Sequence, residues 1–375
     1  MRGRCNGWFL VRHCGLDDDP FVGRVGLLEM SKIHLPSGQD VRSEDGLPAH
    51  IARIPLPLPL RDLREVNVYA ILGTDGVTLV DSGWADDASE TVLVDALARL
   101  GFAPRDVRRI VVTHHHWDHY SRAVDWQRRY GAAVMIGREE HHSIGAFEER
   151  TGAYPVQAQL LIAAGAPELS KVIAAFPLET YERNVPLGPA DVWLEDGQRV
   201  DCGGVDLIAR ATPGHTRGHI VYEDHESGLA FTGDHILPRI TPSIALERVP
   251  EELPLRSYLA SLRLFLDLPD ATMLPAHGVV TASVKARAEE LLDHHRDRLE
   301  SARELVAAGN STAYQVAQRM RWTRHDRTVD ELGAVHGMTA ILEILAHLEL
   351  LVAQGVLART EAGAVNHYDL NQNGL

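Results

Sequence analysis

The sequence holds 20 histidines, and the densest group is Thr113-His114-His115-His116-Trp117-Asp118-His119. His114 and His116 stand two apart, so extended backbone places both rings on one side. Asp118 and His119 follow where a helix is expected to begin. One short turn can therefore aim two pairs of ligands at two neighbouring points. Three further stations lie downstream: Thr212-Pro213-Gly214-His215, Phe231-Thr232-Gly233-Asp234-His235 and Leu274-Pro275-Ala276-His277-Gly278. Small residues beside each let the backbone crowd round a common point. Imidazole and carboxylate together suit Zn²⁺, and also Fe or Mn. One Zn²⁺ takes about four ligands. His114, His116, Asp118, His119, His215, Asp234 and His277 exceed that and suggest two metals per chain sharing a carboxylate. Such a pair holds a bridging hydroxide, because metal binding brings the pKa of water down to about 7.

The elements that must deliver these stations are readable around them. Residues 66–72 read as a buried strand, Gly73-Thr74-Asp75-Gly76 as a hairpin turn and 77–80 as the returning strand, ending at Asp81-Ser82-Gly83. Residues 88–100 read as a helix closed by Gly101. A strand over 109–113 runs into the histidine cluster. A helix over 119–130 and a strand over 133–136 follow. Further strands are expected near 192–194, 205–211, 220–222, 229–232 and 272–274, so that each ligand station sits at a strand end. Alternation of strands and helices, with strand pairs, points to a layered α/β fold of two sheets covered by helices.

Three regions are expected. Residues 1–49 lack periodicity and read as a poorly ordered segment. Met30 offers an alternative start, which puts residues 1–29 in question. Residues 50–283 read as the catalytic domain, with a helix-prone, cap-like insertion over 139–189. Residues 284–375 read as helices over 284–307, 312–320 and 334–354, then a small hairpin of 356–359 and 365–368, the outline of a winged helix. With 375 residues and 45% apolar content the chain can bury a full core. The net charge of −15 argues against broad attraction to nucleic acid or anionic membranes. Cys5, Cys14 and Cys202 form no disulfide framework, and no apolar run approaching about 20 residues stands out, so a cytoplasmic protein without a membrane span is expected.

Asp81, the run His114-x-His116-x-Asp118-His119, then His215, Asp234 and His277, in that order, resemble the metallo-β-lactamase superfamily over residues 66–278. The resemblance implies a four-layer αββα sandwich with metals at one edge. It implies that His114, His116 and His215 bind one metal, that Asp118, His119 and His277 bind the other, and that Asp234 bridges. Asp81 is implied as a supporting group, and Asp118 as a ligand that also helps with the leaving group; these two are the expected catalytic acids. The His-His-His-Trp-Asp-His run is similar to glyoxalase II, although Tyr120-Ser121-Arg122 replaces the Gly-rich continuation. The tail resembles lactamase-like hydrolases with a C-terminal winged helix, one animal member of which is a single-stranded RNA endonuclease. The expected function is a binuclear hydrolase whose bridging hydroxide attacks a thioester, ester or lactone carbonyl of a small molecule. The alternative is a phosphodiesterase or endoribonuclease acting on single-stranded RNA. A third reading, a binding protein with a vestigial site, ranks last because every ligand position is intact. A homodimer is compatible with the tail, which can pack on the core or shape an interface.

Other conspicuous residues have ordinary readings. His115 is expected to point away from its neighbours, in a supporting or solvent-facing role. His219 is expected to be buried and hydrogen-bonded. His235 could equally face the pocket or the core. His141 and His142, after Arg138-Glu139-Glu140, are expected on a solvated helix face. Tyr120 and Trp117 are expected to pack, and Arg217 and Arg239 to lie at the surface.

Overall fold

The ligand stations hang from the edges of two facing sheets. The computed structural model describes residues 46–60, 63–146, 152–177, 185–244, 246–322 and 326–371. The first sheet runs in the order β1 (Ile51–Pro57), β2 (Glu65–Gly73), β3 (Gly76–Val80), β4 (Val107–Val112), β5 (Ala133–Gly137), β6 (Val192–Leu194). The second sheet joins β7 (Arg199–Asp201), β8 (Asp206–Ala211), β9 (Ile220–Asp224), β10 (Leu229–Gly233) and β11 (Thr272–Pro275), with β11 at one edge. In the first sheet β1 to β3 pair antiparallel and β3 to β6 parallel. Helices α1 (Asp87–Arg99) and α2 (Trp117–Tyr130) supply the crossovers that parallel strands need.

Alternation along each strand builds the layers. In β2, Val66, Val68 and Ala70 face the core beneath α1 and α2, beside Leu93, Leu97, Val124 and Trp126. Tyr69 and Ile71 face the other way, against Leu207, Tyr222 and Phe231 of the second sheet. Val221 and Ala230 of that sheet turn outward beneath α6 (Pro254–Asp267) and α7 (Val284–Ala307). The result is helix, sheet, sheet, helix, as expected.

Three elements lie outside the sequence expectations. β1 carries Pro55 and Pro57, which an edge strand tolerates because its outer N–H groups face no partner. β7 has three residues. α6 buries Leu255, Tyr258, Leu259, Leu262 and Phe265 on one face. The segment 1–49 lies outside the described residues up to residue 45. From 46 onward it belongs to the fold, and Leu47 is buried between the sheets.

The insertion over 139–189 contains α3 (His141–Gly145), α4 (Pro155–Ala163) and α5 (Pro167–Ala174); 147–151 and 178–184 lie outside the described residues. Within it, α4 and α5 bury Ala158, Leu161 and Ile173 in one core with the C-terminal helices α8 (Ala313–Arg319) and α9 (Ala334–Ala353). Strands β12 (Leu357–Ala362) and β13 (Val365–Leu370) close the chain as an antiparallel hairpin. Thus the helix–helix–helix–hairpin order of the tail is present. Contrary to the sequence expectation of no long apolar run, α9 is long and apolar enough to cross a membrane. Here Met338, Ile341, Ile344, Leu348 and Leu351 are buried among the neighbouring helices, so packing accounts for its composition.

Candidate metal centre

Strand β3 ends at Val80, and Asp81 just beyond it adopts φ 58°, a left-handed conformation that Asp tolerates better than most side chains. This bend brings its carboxylate over the next parallel strand. It accepts from Thr113 N at 2.8 Å, Thr113 Oγ1 at 3.0 Å and His119 Nδ1 at 2.9 Å. Strand β4 then releases the histidine cluster, and α2 begins at Trp117, two residues earlier than expected. Asp118 and His119 therefore sit in its first turn.

The other stations are fastened with equal care. Gly233, at φ 51°, lets β10 turn so that Asp234 faces inward. A Cβ there would lie 2.6 Å from His219 Nε2 and 2.7 Å from Thr113 Cβ. His219 Nδ1 pairs with Thr212 Oγ1 at 2.9 Å, and its Nε2 accepts from Asp234 N at 3.2 Å. The His277 turn is stapled to β2: Asn67 Nδ2 donates to Pro275 O and Gly278 O, and Tyr69 Oη donates to Pro275 O at 2.9 Å.

Four of the imidazoles, those of His114, His119, His215 and His277, are fixed through Nδ1. His119 Nδ1 donates to Asp81, His215 Nδ1 to Ser243 O at 2.6 Å, and His277 Nδ1 to Glu65 O at 2.8 Å. The Thr113 hydroxyl gives its only hydrogen to Asp81, so His114 Nδ1 donates to Thr113 Oγ1 at 3.0 Å. These assignments leave the opposite nitrogen, Nε2, as a bare lone pair in every neutral ring.

The bare nitrogens converge. His116 Nδ1 lies 2.9 Å from His114 Nε2 and 3.1 Å from His215 Nε2. Nitrogens bound about 2.0–2.1 Å from one tetrahedral ion stand roughly 3.3 Å apart, so this trio has the spacing of a shared cation. His277 Nε2 stands 3.6 Å from Asp118 Oδ2 and 3.3 Å from Asp234 Oδ1, and His119 Nε2 3.6 Å from Asp118 Oδ2. Asp234 faces both ways: Oδ1 lies 3.8 Å from His119 Nε2, and Oδ2 lies 3.7 Å from His215 Nε2. Three groups of donors could each hold an ion: His114, His116 and His215; His114, His119 and Asp234; Asp118, His119 and His277. Within these groups His119 Nε2, His277 Nε2 and Asp234 Oδ1 are buried without a hydrogen-bond partner. Buried polar atoms are rarely left so, and a divalent cation fits all of them.

The electrostatics agree. Burial disfavours a charged His119, but the Asp118, Asp81 and Asp234 carboxylates outweigh it and raise its pKa to about 10. Burial opposes ionisation of Asp234, yet His277 and His119 hold its pKa well below the usual carboxylate range. Burial and the neighbouring imidazoles push His114 and His116 well below an ordinary histidine. The site therefore keeps Asp234 ionised and the His114, His116 and His215 imidazoles neutral, as cation binding requires, while His119 carries a second proton that an incoming ion displaces.

All the expected ligand positions come together, with Asp81 behind them. Asp81 is 2% exposed, and its carboxylate is engaged by Thr113 and His119, so it positions a ligand and does not face a substrate. His219 is buried and hydrogen-bonded, as expected. His235 turns toward the outer helices, its ring 4.9 Å from Tyr258 and 6.2 Å from Phe265. Tyr120 packs in the core and donates to Gly188 O at 2.6 Å. Trp117 meets Trp84 edge to face at 5.7 Å. His141 and His142 are exposed and Arg239 is exposed, while Arg217 is half-buried. His115 is internal and not solvent-facing: it is buried, its ring lies edge to face with that of His116 at 5.1 Å, and its Nδ1 meets the buried Glu140 carboxylate. Glu140 itself escaped sequence reasoning, because Arg138-Glu139-Glu140 reads as a solvated run.

Two packed sheets with imidazoles and carboxylates converging at their edge define a metal-binding hydrolase fold of the αββα type. The chain belongs to the metallo-beta-lactamase superfamily, whose model matches residues 61–277. Among curated proteins it is 26% identical over 318 residues to "Probable metallo-hydrolase YqjP" of Bacillus subtilis, covering 80% of this chain and 91% of that one. A hydroxyacylglutathione hydrolase of Cereibacter sphaeroides is 28% identical over 193 residues, half of this chain and 56% of its own length. Among solved structures, a metallo-beta-lactamase family protein from Thermus thermophilus superposes with a TM-score of 0.69 at 29% identity, covering 86% of this chain and 98% of that one. The protein is a metallo-hydrolase of this superfamily.

Proposed function

We propose that the protein is a binuclear zinc-dependent acyl hydrolase that cleaves a thioester, ester or lactone of a small molecule. His114, His116 and His215 would hold one ion, Asp118, His119 and His277 the other, and Asp234 would bridge them. The observation that carries this reading is the two-faced Asp234 carboxylate, with one oxygen toward His215 and the other toward His119 and His277. Bound ions make water nucleophilic near neutral pH and polarise an acyl oxygen.

The residues of the chain supply the rest. The anchored rings hold their lone pairs in place before substrate arrives, so little reorganisation accompanies the reaction. Asp118 and Asp234 are 7% and 9% exposed, and His116 is only part-buried, so these three mark the face open to substrate. Asp118 is the carboxylate placed to hold a proton for the leaving group. Asp81 keeps the His119 proton on Nδ1, away from the ligand nitrogen.

The named activity of the Cereibacter sphaeroides relative supports an acyl substrate. The ribonuclease alternative needs a positive track for phosphates. In α7, Arg287, Arg296 and Arg303 are instead paired with Glu290, Asp293 and Glu300, and Arg298 with Glu343 of α9. The test is a panel of acyl-CoA and acylglutathione thioesters, aryl esters, lactones and labelled single-stranded RNA, offered to metal-loaded wild type and His116→Ala. Turnover of a carbonyl substrate that the variant loses supports the reading. Metal-dependent cleavage confined to RNA overturns it.

A further inference from the structure

Glu140 is a fully buried carboxylate that takes no part in the ligand set described above. It stands in the turn that leads from β5 into α3, on the far side of the His114–His116 segment. Its two oxygens reach two different loops. Oε2 meets Nδ1 of His115, the residue between ligands His114 and His116. Oε1 accepts from the hydroxyl of Thr216, the residue after ligand His215. A second buried acid, Glu247, stands beside it and accepts from Arg217 N of the same loop as Thr216 at 3.1 Å.

The backbone around it is built for this approach. A Cβ at Gly218 would overlap the Glu140 backbone, and one at Gly137 would overlap the Gly218 carbonyl. The two segments lie so close that only glycine fits at either position. His115 and Thr216 are themselves buried, so neither bond competes with water. A carboxyl group buried here needs partners, because buried polar groups are rarely left unpaired.

We infer that Glu140 is the positioning residue of the three-imidazole site: by gripping His115 and Thr216 it sets the spacing between the His114/His116 turn and the His215 turn. The inference rests on the metal centre proposed above. The side-chain bonds of Glu140 run to His115 and Thr216, and none runs to Asp118, His119 or His277 of the other cluster. Asp81 serves that cluster through His119. Asp81 also reaches His114 through the Thr113 hydroxyl and so stands behind both halves, whereas the bonds of Glu140 run only to the loops of the three-imidazole site, and its loss weakens one ion selectively. Outer partners of metal ligands typically set metal affinity by about 10–100-fold. Glu140 acts one residue removed from each ligand, so about tenfold, the low end of that range, is expected.

The test is titration of metal-free protein with Co²⁺, followed by visible absorption and by competition with a chelator, for wild type, Glu140→Gln, Glu140→Ala and Thr216→Val. Wild type is expected to take up Co²⁺ in two steps. In Glu140→Ala one step weakens about tenfold with an altered spectrum, while the other keeps its affinity. Thr216→Val, which removes one of the two grips and retains the buried acid and His115, gives a smaller loss at the same step. Glu140→Gln, which preserves shape and can still bond one loop, falls between. Equal weakening of both steps, or none, in every variant that folds by circular dichroism overturns the inference and leaves the metal centre standing. Failure of wild type to bind Co²⁺ overturns the metal centre, and this inference with it.

Discussion

Asp81→Asn is the sharpest probe of how the site is held. Asn tolerates the left-handed φ of 58° as Asp does, so the backbone stays unstrained. The amide oxygen can keep the bond from Thr113 N, now 2.8 Å. The amide nitrogen then replaces Oδ2, which accepts from His119 Nδ1 at 2.9 Å. Two donors now face each other. His119 escapes the clash by moving its proton to Nε2, the nitrogen aimed at Asp118 and Asp234. In wild type an ion displaces the Nε2 proton and leaves Nδ1–H bonded to Asp81; in the variant the metal-bound ring has lost that acceptor. Loss of such an outer partner weakens metal binding about 10–100-fold, or roughly 1.4–2.7 kcal/mol. Competition between protein and a chromophoric chelator for Zn²⁺ near neutral pH reads this directly. Circular dichroism of the metal-free variant checks that the fold persists. A folded Asn variant that holds both ions as tightly as wild type would refute the reasoning.

Three further outcomes are expected. His295 and His347 pair across α7 and α9, Nδ1 to Nε2 at 3.1 Å, and burial holds their pKa values down to about 2 and about 4. Both are neutral in the fold and protonated in the unfolded chain below about 6.5, so between about pH 4 and 6 they remove roughly 2.7 kcal/mol of stability per pH unit lowered. Urea unfolding of metal-free protein across that range should show a shallower acid slope in the double variant His295→Leu, His347→Leu; an unchanged slope would place the acid sensitivity elsewhere. Glu247 is buried, and burial together with Glu140 raises its pKa to about 7. Its folded form holds a proton that the unfolded chain releases above about 4.5, so stability falls as pH rises from there to about 7. Glu247→Gln should therefore gain stability relative to wild type on going from pH 5 to pH 8, and a constant difference in melting temperature would count against it. His119, raised to about 10 by its carboxylate neighbours, holds a proton that a metal ion must displace. Zn²⁺ affinity should fall as pH is lowered, with proton release visible in calorimetry in buffers of different ionisation enthalpy.

The convergence of these side chains was legible because each station joins a histidine or aspartate to a strand end and to small residues that let backbones meet. His114, His116, Asp118, His119, His215, Asp234 and His277 needed no alignment of contacts to be found. Short, continuously buried runs bounded by turn residues, such as β2 and β10, were equally readable. Elements whose signals conflict were not. β1 carries two prolines that argue against a strand until its edge position is known. α6 has a helical apolar spacing, but it begins at Pro254 and follows a long loop. The partnership of α4 and α5 with α8 and α9 depends on contacts more than a hundred residues apart in sequence, which local patterns do not encode. Glu140 is the plainest case: its charged neighbours suggest solvent, and only the fold shows that His115 and Thr216 close over it.

Metal analysis of protein loaded with Zn²⁺ and freed of excess ion tests the convergence of these side chains most directly. About two ions per chain in wild type, falling to about one in His215→Ala, is the expected result for a pair held by separate imidazole groups. Wild-type protein that folds normally yet retains no more Zn²⁺ than the variant would contradict it.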